Sequence, residues 1–248
     1  MNLILLEKDE IQADGLAVLS GKRARHVREV LQAAEGEQIR IGVVEGPMGT
    51  ATVVEDGKEI RLKCALDGGI PPVPRVDLLL AMPRPKVMNR LWPVLASLGV
   101  GRILVSNAWK TERNYFDTHV LEPEHVREGL IEGLQQARDT RLPQVGVHKQ
   151  FKKLVEDKLG GFGPYAARLV AHPGAGAFPL DKLAALPSQG RVLLAVGPEG
   201  GWTPFELELL AAHGFEPVSW GPRALRTDVA CAVLLGLVHA GWGLKIKD

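Results

Sequence analysis

The sequence predicts an α/β protein in which a small β-rich domain precedes a larger domain built on a parallel sheet. Its 248 residues are 46% hydrophobic and 24% charged, as in ordinary globular proteins. Short alternating apolar runs broken by glycines fill the first part of the chain, whereas buried-strand runs alternate with helical patterns from Val76 onward. Between them, Pro71-Pro72-Val73-Pro74 cannot continue a sheet interior. We therefore expect domains at residues 1–72 and 73–248.

Three strands are expected in the first domain, at Gln38–Val44, Gly49–Val54 and Ile60–Leu66. The segments between them, Gly46-Pro47-Met48-Gly49 and Asp56-Gly57, have the composition of turns. The spacing of these runs predicts a β meander.

A helix is expected ahead of this meander, between Lys22 and Leu31. Its apolar side chains share one face, and Arg25 and Arg28 lie on the other. The apolar set is Ala24, Val27, Val30 and Leu31. The helix should therefore present cations to solvent.

The second domain is expected to begin with the strand Val76–Ala81, an apolar run typical of a strand buried on both faces. A helix follows, with apolar residues at helical spacing from Val87 to Leu98, a stop at Gly99, and Pro93 as a residue that should kink or shift it. Further strands are expected at Ile103–Ser106, Val145–His148, Arg168–Ala171, Val192–Val196 and Pro217–Trp220, and helices at Pro123–Arg138, Pro204–His213 and Thr227–Trp242.

Composition excludes several classes of protein. The net charge is +1, so a surface that binds a polyanion must be a local patch. No apolar run approaches the roughly 20 residues that cross a bilayer, and no secretory leader is recognisable, so we expect a cytoplasmic protein. Cys64 and Cys231 lack CxxC spacing and the histidines lack ligand spacing. We therefore expect neither a disulfide framework nor a metal site.

The most informative segment is Gly197-Pro198-Glu199-Gly200-Gly201, which links a buried strand to a helix. Thr203, Pro204 and Glu206 have the arrangement of a capping box with proline at the first helical position. Ligands of open α/β sheets bind at such strand ends, where glycines allow close approach to the backbone. The segment lacks the G-x-G-x-x-G and P-loop patterns. It is therefore either a ligand-binding loop of another kind or a tight turn.

A second junction of this kind runs from Val218 to Asp228 and contains Arg223 and Arg226 just before a helix capped by Thr227. The arginines are either site residues or surface ion-pair partners. From Val229 to Val238 the helix is apolar almost all round, so we expect it to be buried on every side, by the core and by another subunit.

Together the two junctions resemble the final motifs of the 16S ribosomal RNA uridine-N3 methyltransferases of the SPOUT superfamily, G-P-E-G-G and L-G-x-R-x-L-R-x-E-T-A. Here Trp220, Asp228 and Val229 replace the usual Leu, Glu and Thr. Two other segments, Arg25 to Leu31 and Leu98-Gly99-Val100, resemble the R-H-x-x-x-V-L-R and E-L-G-V elements. Aligning the family's Q-S-G-R-x-x-x-P on Pro143 places Gln136 correctly, but Asp139 where Arg is usual.

The resemblance implies a trefoil knot in the C-terminal domain, a PUA-like or OB-like N-terminal barrel, a homodimer, S-adenosylmethionine as cofactor, and 16S ribosomal RNA or the small ribosomal subunit as substrate. We expect Arg25 and Arg28, as cations on the polar face of the helix, either to bind RNA phosphates or to pair with neighbouring carboxylates. The resemblance adds Gln136 as an RNA contact. It assigns cofactor binding to His172, Gly197, Pro198, Glu199, Gly200, Gly201, Trp220, Gly221, Leu225 and Arg226.

Methylation of uridine N3 requires the N3–H proton to leave and the base to be unpaired. Arg226 and Arg223 are the candidates to stabilise charge on the uracil carbonyls, and Glu199 or Asp228 to accept or orient the proton. Trp202 and Trp220 could stack on the base or belong to the core.

Two other functions stay open at this point. A SPOUT methyltransferase acting on another RNA, such as tRNA, would share fold and cofactor. A non-catalytic RNA-binding relative could keep the fold with altered site residues, and the substitution at Asp228 allows for this. Binding of S-adenosylmethionine discriminates the second reading from the enzymes.

Overall fold

The computed structural model describes residues 3–173, 183, 186–187 and 190–241, and it divides into two compact units. The first comprises Met1–Val73 and Leu130–Leu142, and the second comprises Pro74–Gly129 and Pro143–Asp248. Residues 130–142 were expected in the second domain, whereas in the structure they group with the first.

The first unit contains a five-stranded mixed sheet in the order β1-β3-β4-β5-β2. β1 pairs with β3 in parallel, and the other neighbours are antiparallel. The strands are β1 (Ile4–Leu6), β2 (Leu16–Leu19), β3 (Gln38–Val43), β4 (Met48–Asp56) and β5 (Ile60–Ala65). Their alternating apolar side chains, with those of α1 described below, form one hydrophobic cluster. The expected meander is therefore confirmed as β3, β4 and β5.

The expected N-terminal helix is α1 (Gly21–His26), which continues into a wider π turn at Val27–Leu31. Ala24 and Val27 are buried, but Val30 is 58% exposed. The prediction that Val30 shares the buried face was therefore wrong, because the spacing of a π turn differs from that of an α-helix.

Thr140 bonds residues 130–142 to the rest of the first unit. Its side chain is fully buried, its hydroxyl donates to the carbonyl of Gly46 at 2.7 Å, and its carbonyl accepts from the N–H of Glu45 at 2.8 Å. The Glu45 carboxylate in turn accepts from the N–H of Leu142 at 2.6 Å. At Gly42 a β-carbon would lie only 2.6 Å from the Thr140 methyl group, so this strand position needs glycine.

The second unit is built on a six-stranded, all-parallel sheet in the order β11-β9-β10-β6-β7-β8. Its strands are β6 (Val76–Ala81), β7 (Val100–Ser106), β8 (Gln144–His148), β9 (Ala167–Ala171), β10 (Val192–Val196) and β11 (Phe215–Val218). Every residue of β6 and β10 is buried. The predicted parallel-sheet α/β domain is confirmed, although the last strand ends at Val218, two residues before the predicted Trp220.

Helices connect these strands. The α-helices are α2 (Pro85–Ser97), α3 (Pro123–Ala137), α4 (Phe151–Lys153), α5 (Pro204–Ala212) and α6 (Thr227–Gly241). Short 3₁₀ or π turns lie at Lys8–Glu10 in the first unit and at Arg113–Phe116, His119–Leu121, Leu154–Lys158 and Leu159–Phe162 in the second. α2 runs through Pro93 as a single helix. The boundary between the two units falls within α3, and Trp242, the predicted end of the last helix, lies outside the described residues.

Asp77 on β6 is fully buried and holds a cluster of polar side chains together. Its carboxylate lies 2.5 Å from Arg191 Nη2 and 3.3 Å from Arg102 Nη1, and it accepts from the Tyr165 hydroxyl at 2.8 Å. Burial, together with the charge of Asp77, raises the pKa of Tyr165 to about 12, so the phenol stays a donor at neutral pH. The cluster joins β6, β7 and the segments before β9 and β10.

We expect Asp77→Ala to lower the free energy of unfolding by about 3 kcal/mol, because it leaves two partly buried guanidinium groups without their carboxylate. Glu55→Ala is the matched control, since Glu55 and Arg61 form an exposed pair at 3.3 Å whose loss should cost less than about 1 kcal/mol. Urea denaturation measures both. Equal losses in the two variants would contradict this role of Asp77.

Candidate functional site

A cavity of about 270 Å³ lies at the carboxyl ends of β9, β10 and β11. The loops after β10 and β11 and the first turns of α6 line it. The lining residues are Ala171, His172, Pro173, Val196, Gly197, Pro198, Glu199, Gly200, Gly201, Trp202, Val218, Ser219, Trp220, Arg223, Ala224, Leu225, Thr227, Ala230 and Leu234. Carboxyl ends of adjacent parallel strands are where open α/β sheets bind ligands.

The glycine loop after β10 has a defined local structure. Gly201 has φ +69°, and at Gly197 a β-carbon would lie 3.0 Å from the Trp202 ring, so both positions favour glycine. The predicted capping box is confirmed: Thr203 Oγ1 accepts from the N–H of Glu206 at 3.3 Å, and the Glu206 carboxylate accepts from the N–H of Thr203 at 2.8 Å. The loop is therefore held at the start of α5.

Two contacts fix the same loop to its neighbours in the sheet. Glu199 Oε1 accepts from the N–H of Arg84 at 3.1 Å, and Lys110 Nζ donates to the carbonyl of Gly200 at 2.7 Å. A β-carbon at Gly200 would lie 2.9 Å from the Lys110 side chain. A valine at Gly200 would therefore disturb Lys110 as well as any ligand.

Two ring nitrogens of the cavity wall are buried and have no hydrogen-bond partner among the described residues. They are His172 Nδ1 and Trp202 Nε1. The indole N–H can only donate, whereas the imidazole nitrogen donates or accepts according to its tautomer. Because buried polar groups are nearly always hydrogen-bonded, these atoms suit a polar ligand in the cavity.

The loop after β11 is stabilised by Ser219, whose hydroxyl donates to the carbonyl of Gly221 at 3.0 Å and accepts from its N–H at 3.1 Å. Trp220 is 44% exposed and lines the cavity together with Arg223 and Leu225. Gly221, with φ +146°, and Arg226 are not among the described residues that line it.

Arg226 instead forms an ion pair. Its Nη2 lies 3.1 Å from Asp228 Oδ2, while Arg90 Nη2 lies 3.4 Å from the same oxygen. The other Asp228 oxygen accepts from the N–H of Val229 at 3.0 Å and so helps to cap α6. The ion-pair alternative thus describes Arg226 in this structure, and Arg223 is the arginine at the cavity.

Several lining residues were not among the predicted site residues, namely Ala171, Pro173, Val196, Val218, Ser219, Ala224, Thr227, Ala230 and Leu234. Many of them are the last residues of strands or lie on the inner face of α6. Strand ends could have been included from the pattern alone, because the carboxyl ends of adjacent parallel strands share one edge of the sheet.

The predicted RNA-binding residues belong to the first unit: Arg25 lies on α1, Arg28 in the π turn that follows it, and Gln136 in residues 130–142. Arg25 is exposed, but Arg28 Nε lies 2.5 Å from Asp56 Oδ1. The ion-pair alternative therefore describes Arg28 in this structure, and its role in RNA binding stays a prediction. Gln136 is exposed near the end of α3, and Arg138 just beyond it has φ +57°, a conformation that glycine adopts more readily.

One face of α6 is buried, and it carries Thr227, Cys231, Leu234, Leu235 and Val238. Burial on every side was expected, yet Val229 is 38% exposed, and Val233 and Leu237 are only half-buried in the single chain. The outer face of α6 is thus an accessible apolar stripe.

The cysteines and acidic residues offer little for other chemistry. Burial, reinforced by the charge of Asp228, raises the pKa of Cys231 to about 12, and burial also raises the pKa of Cys64. Within residues 3–173 and the described part beyond them, no group of three or more His, Cys, Asp or Glu side chains could hold a metal ion. None of the described helices is long and apolar enough to cross a membrane.

Comparison with known proteins gives consistent matches along the chain. The family model described as RNA methyltransferase domain matches residues 71–239. The ribosomal RNA small subunit methyltransferase E of Treponema pallidum is 31% identical over 99% of this chain and 94% of its own length. Its namesake from Mycobacterium bovis is 30% identical over 94% of this chain and 90% of its own length.

Solved structures of low sequence identity share the fold. A ribosomal RNA small subunit methyltransferase E from Neisseria gonorrhoeae, solved with S-adenosylmethionine, has a TM-score of 0.77 at 20% identity, covering 98% of both chains. A Legionella pneumophila protein solved with the same cofactor has a TM-score of 0.74 at 23% identity, covering 96% of this chain and 97% of that one. The sequence matches show that this chain belongs to the RNA methyltransferase family that includes the ribosomal RNA small subunit methyltransferases E.

Proposed function

We propose that this protein transfers a methyl group from S-adenosylmethionine to N3 of a uridine in the 16S ribosomal RNA of the small ribosomal subunit. The observation that carries the proposal is the cavity between the two glycine loops, in a chain whose relatives are named ribosomal RNA small subunit methyltransferases. The methyl transfer would take place in the cytoplasm, where ribosomal RNA is available.

In this proposal the cavity binds S-adenosylmethionine, which supplies the transferable methyl group when bound. Its predicted binding residues that line the cavity are His172, Gly197, Pro198, Glu199, Gly200, Gly201, Trp220 and Leu225. The unpartnered nitrogens of His172 and Trp202 would bond polar groups of the cofactor, and the backbone at Gly201 offers close approach. Gly221 and Arg226 stay predictions as cofactor contacts.

The remaining chemistry is the loss of the N3–H proton and the alignment of the base. Arg223 on the cavity wall would stabilise negative charge on the uracil carbonyls, and Glu199, which also lines the cavity, would accept or orient the proton. Arg226 and Asp228 neutralise each other, so in this proposal they position the start of α6 instead of meeting the base.

We also propose the finer features that the family resemblance implies. The loops at the cavity would belong to a trefoil knot, which agrees with α6 leaving the outer strand β11 and packing against β6, β10 and α2. The curled mixed sheet of the first unit would act as a PUA-like or OB-like barrel. Arg25, Arg28 and Gln136 would contact RNA phosphates there, with Arg28 first releasing Asp56.

A homodimer through the outer face of α6 completes the proposal. This face carries Val229, Val233 and Leu237, which stay accessible in the single chain. An accessible apolar stripe on a helix is typical of a subunit interface.

Mass mapping of modified uridines in 16S ribosomal RNA tests the function directly. In cells that lack this protein we expect one N3-methylated uridine to become unmodified, and purified protein with S-adenosylmethionine should restore it on the extracted RNA or subunit. An unchanged 16S pattern would refute the proposal, and a methyl group missing from tRNA instead would select the alternative substrate.

We expect His172→Ala to weaken S-adenosylmethionine binding by roughly fivefold, because the variant loses one hydrogen bond worth about 1 kcal/mol. Isothermal titration calorimetry measures this change. The matched control is His119→Ala, since His119 is exposed and lies outside the cavity. The placement of the cofactor fails if both variants bind it as tightly as the unmodified protein.

We expect Val233→Glu to convert the dimer to monomer, because a carboxylate in an apolar interface lacks the water that stabilises its charge. Light scattering at micromolar concentration reads out the mass. Val54→Glu, at an exposed position of the first unit, should leave the dimer intact. A monomeric unmodified protein would show that α6 is not an interface.

A further inference from the structure

A second cavity, of about 400 Å³, lies next to the glycine loop but is lined by different residues. Its wall begins at Thr203, directly after Trp202 of the first cavity, and includes the loop that follows β7. The lining residues are Asn107, Ala108, Trp109, Phe151, Lys152, Thr203, Pro204, Phe205 and Glu206. Both cavities therefore lie at the carboxyl edge of the parallel sheet.

Two aromatic side chains of this wall are unusually exposed. Trp109 is 84% exposed and Phe205 is 58% exposed, and within the described residues Trp109 is the most exposed of the large apolar side chains. Trp is highly buried on average, because exposing its ring to water is costly. An exposed aromatic pair that lines one cavity is thus a candidate contact for a partner with flat apolar faces.

The backbone that carries Trp109 is firmly anchored although the ring is exposed. The N–H of Trp109 donates at 2.7 Å to Glu206, which is 3% exposed and also accepts from the N–H and hydroxyl of Thr203. The next residue, Lys110, donates to the carbonyl of Gly200 at 2.7 Å. A buried carboxylate and a lysine thus hold the backbone of Trp109 in place beside the glycine loop, which limits where the ring can lie and so favours contact with a partner.

A polar atom of the same wall has no partner. Asn107 Oδ1 is buried and makes no hydrogen bond within the described structure. A carbonyl oxygen of this kind accepts from N–H groups, which nucleobases present along their edges. The cavity thus offers an acceptor for a base edge beside rings for a base face.

The charges around the cavity favour a nucleic acid over an apolar protein segment. Lys152 lines it, Lys110 follows Trp109, and the segment 149–153 contains three lysines and no acidic residue. Lys152 has only a loose contact with Glu156, at 3.7 Å, and Lys149 one with Asp117, at 3.5 Å. Glu206, the acidic residue of the wall, is already occupied by three donors.

We propose that Trp109 and Phe205 form a stacking platform for an unpaired base of the RNA substrate, whose edge is read by Asn107 and whose phosphates are neutralised by Lys110 and Lys152. This inference rests on the proposed function, since an RNA methyltransferase supplies the occupant, and it adds an RNA contact apart from the cofactor cavity. Stacking on aromatic side chains is how proteins hold unpaired bases without requiring one sequence.

Equilibrium binding of a uridine-rich single-stranded RNA decamer to the full chain tests the platform. Trp109→Ala and Phe205→Ala should each weaken binding by roughly tenfold, whereas Trp109→Phe, which keeps a flat ring, should weaken it by less than about threefold. Val94→Ala, at a half-exposed apolar position on α2, is the matched control and should bind like the unmodified protein. Calorimetric affinity for S-adenosylmethionine should be equal in all of them.

Fluorescence gives a readout that a merely structural role of Trp109 would not change. Stacking should quench the emission of the unmodified protein when the decamer binds, and the quench should be largely absent in Trp109→Phe. In methylation assays, Trp109→Ala should raise the KM for RNA more than it lowers kcat.

Three outcomes would overturn the inference. The first is unchanged RNA affinity in Trp109→Ala and Phe205→Ala. The second is that the alanine variants lose activity on assembled ribosomal subunits but keep it on free RNA, which would identify a protein as the partner of the two rings. The third is that the same alanine variants change from dimer to monomer, which would make the platform a contact between subunits. Failure of the proposed function is recognised separately, by an unmodified protein that binds no S-adenosylmethionine and methylates no RNA.

Discussion

The buried carboxylate of Glu206 is the contact on which both cavities depend. It accepts from the backbone and hydroxyl of Thr203 and so fixes where α5 begins, which sets the path of the glycine loop before it. It also accepts from the backbone of Trp109, in the loop after β7. A carboxylate satisfied by three donors is stable in a dry environment, and its charge adds strength to each bond.

The parallel sheet determines which loops Glu206 can join. Carboxyl ends of all six strands lie at one edge, so loops that are far apart in sequence meet there. Contacts from Arg84 to Glu199 and from Lys110 to Gly200 connect three of these loops directly. The backbone around the first cavity is therefore held from several sides, as a preorganised binding site requires.

Much of this architecture could be predicted from the sequence. Buried runs such as Val76–Ala81 and the capping box at Thr203 are local signals, and both loops of the first cavity followed from them. Long-range pairings have no such signal. The ion pair of Arg90 with Asp228 and the contact of Trp109 with Glu206 join segments that are far apart in the sequence, and this is why Trp109 was not recognised.

The position of Thr140 in the sequence affects how the protein folds during its synthesis on the ribosome. Its buried side chain and its bonds to Gly46 and Glu45 belong to the first unit, although 66 residues separate it from Pro74, where the second unit starts. Most of the first unit leaves the ribosome early, and domains generally fold as they emerge. The first unit cannot finish folding until Thr140 has been synthesised, because the space beside Gly42 stays unfilled before then. Part of the second unit has therefore already left the ribosome when the first unit completes its fold.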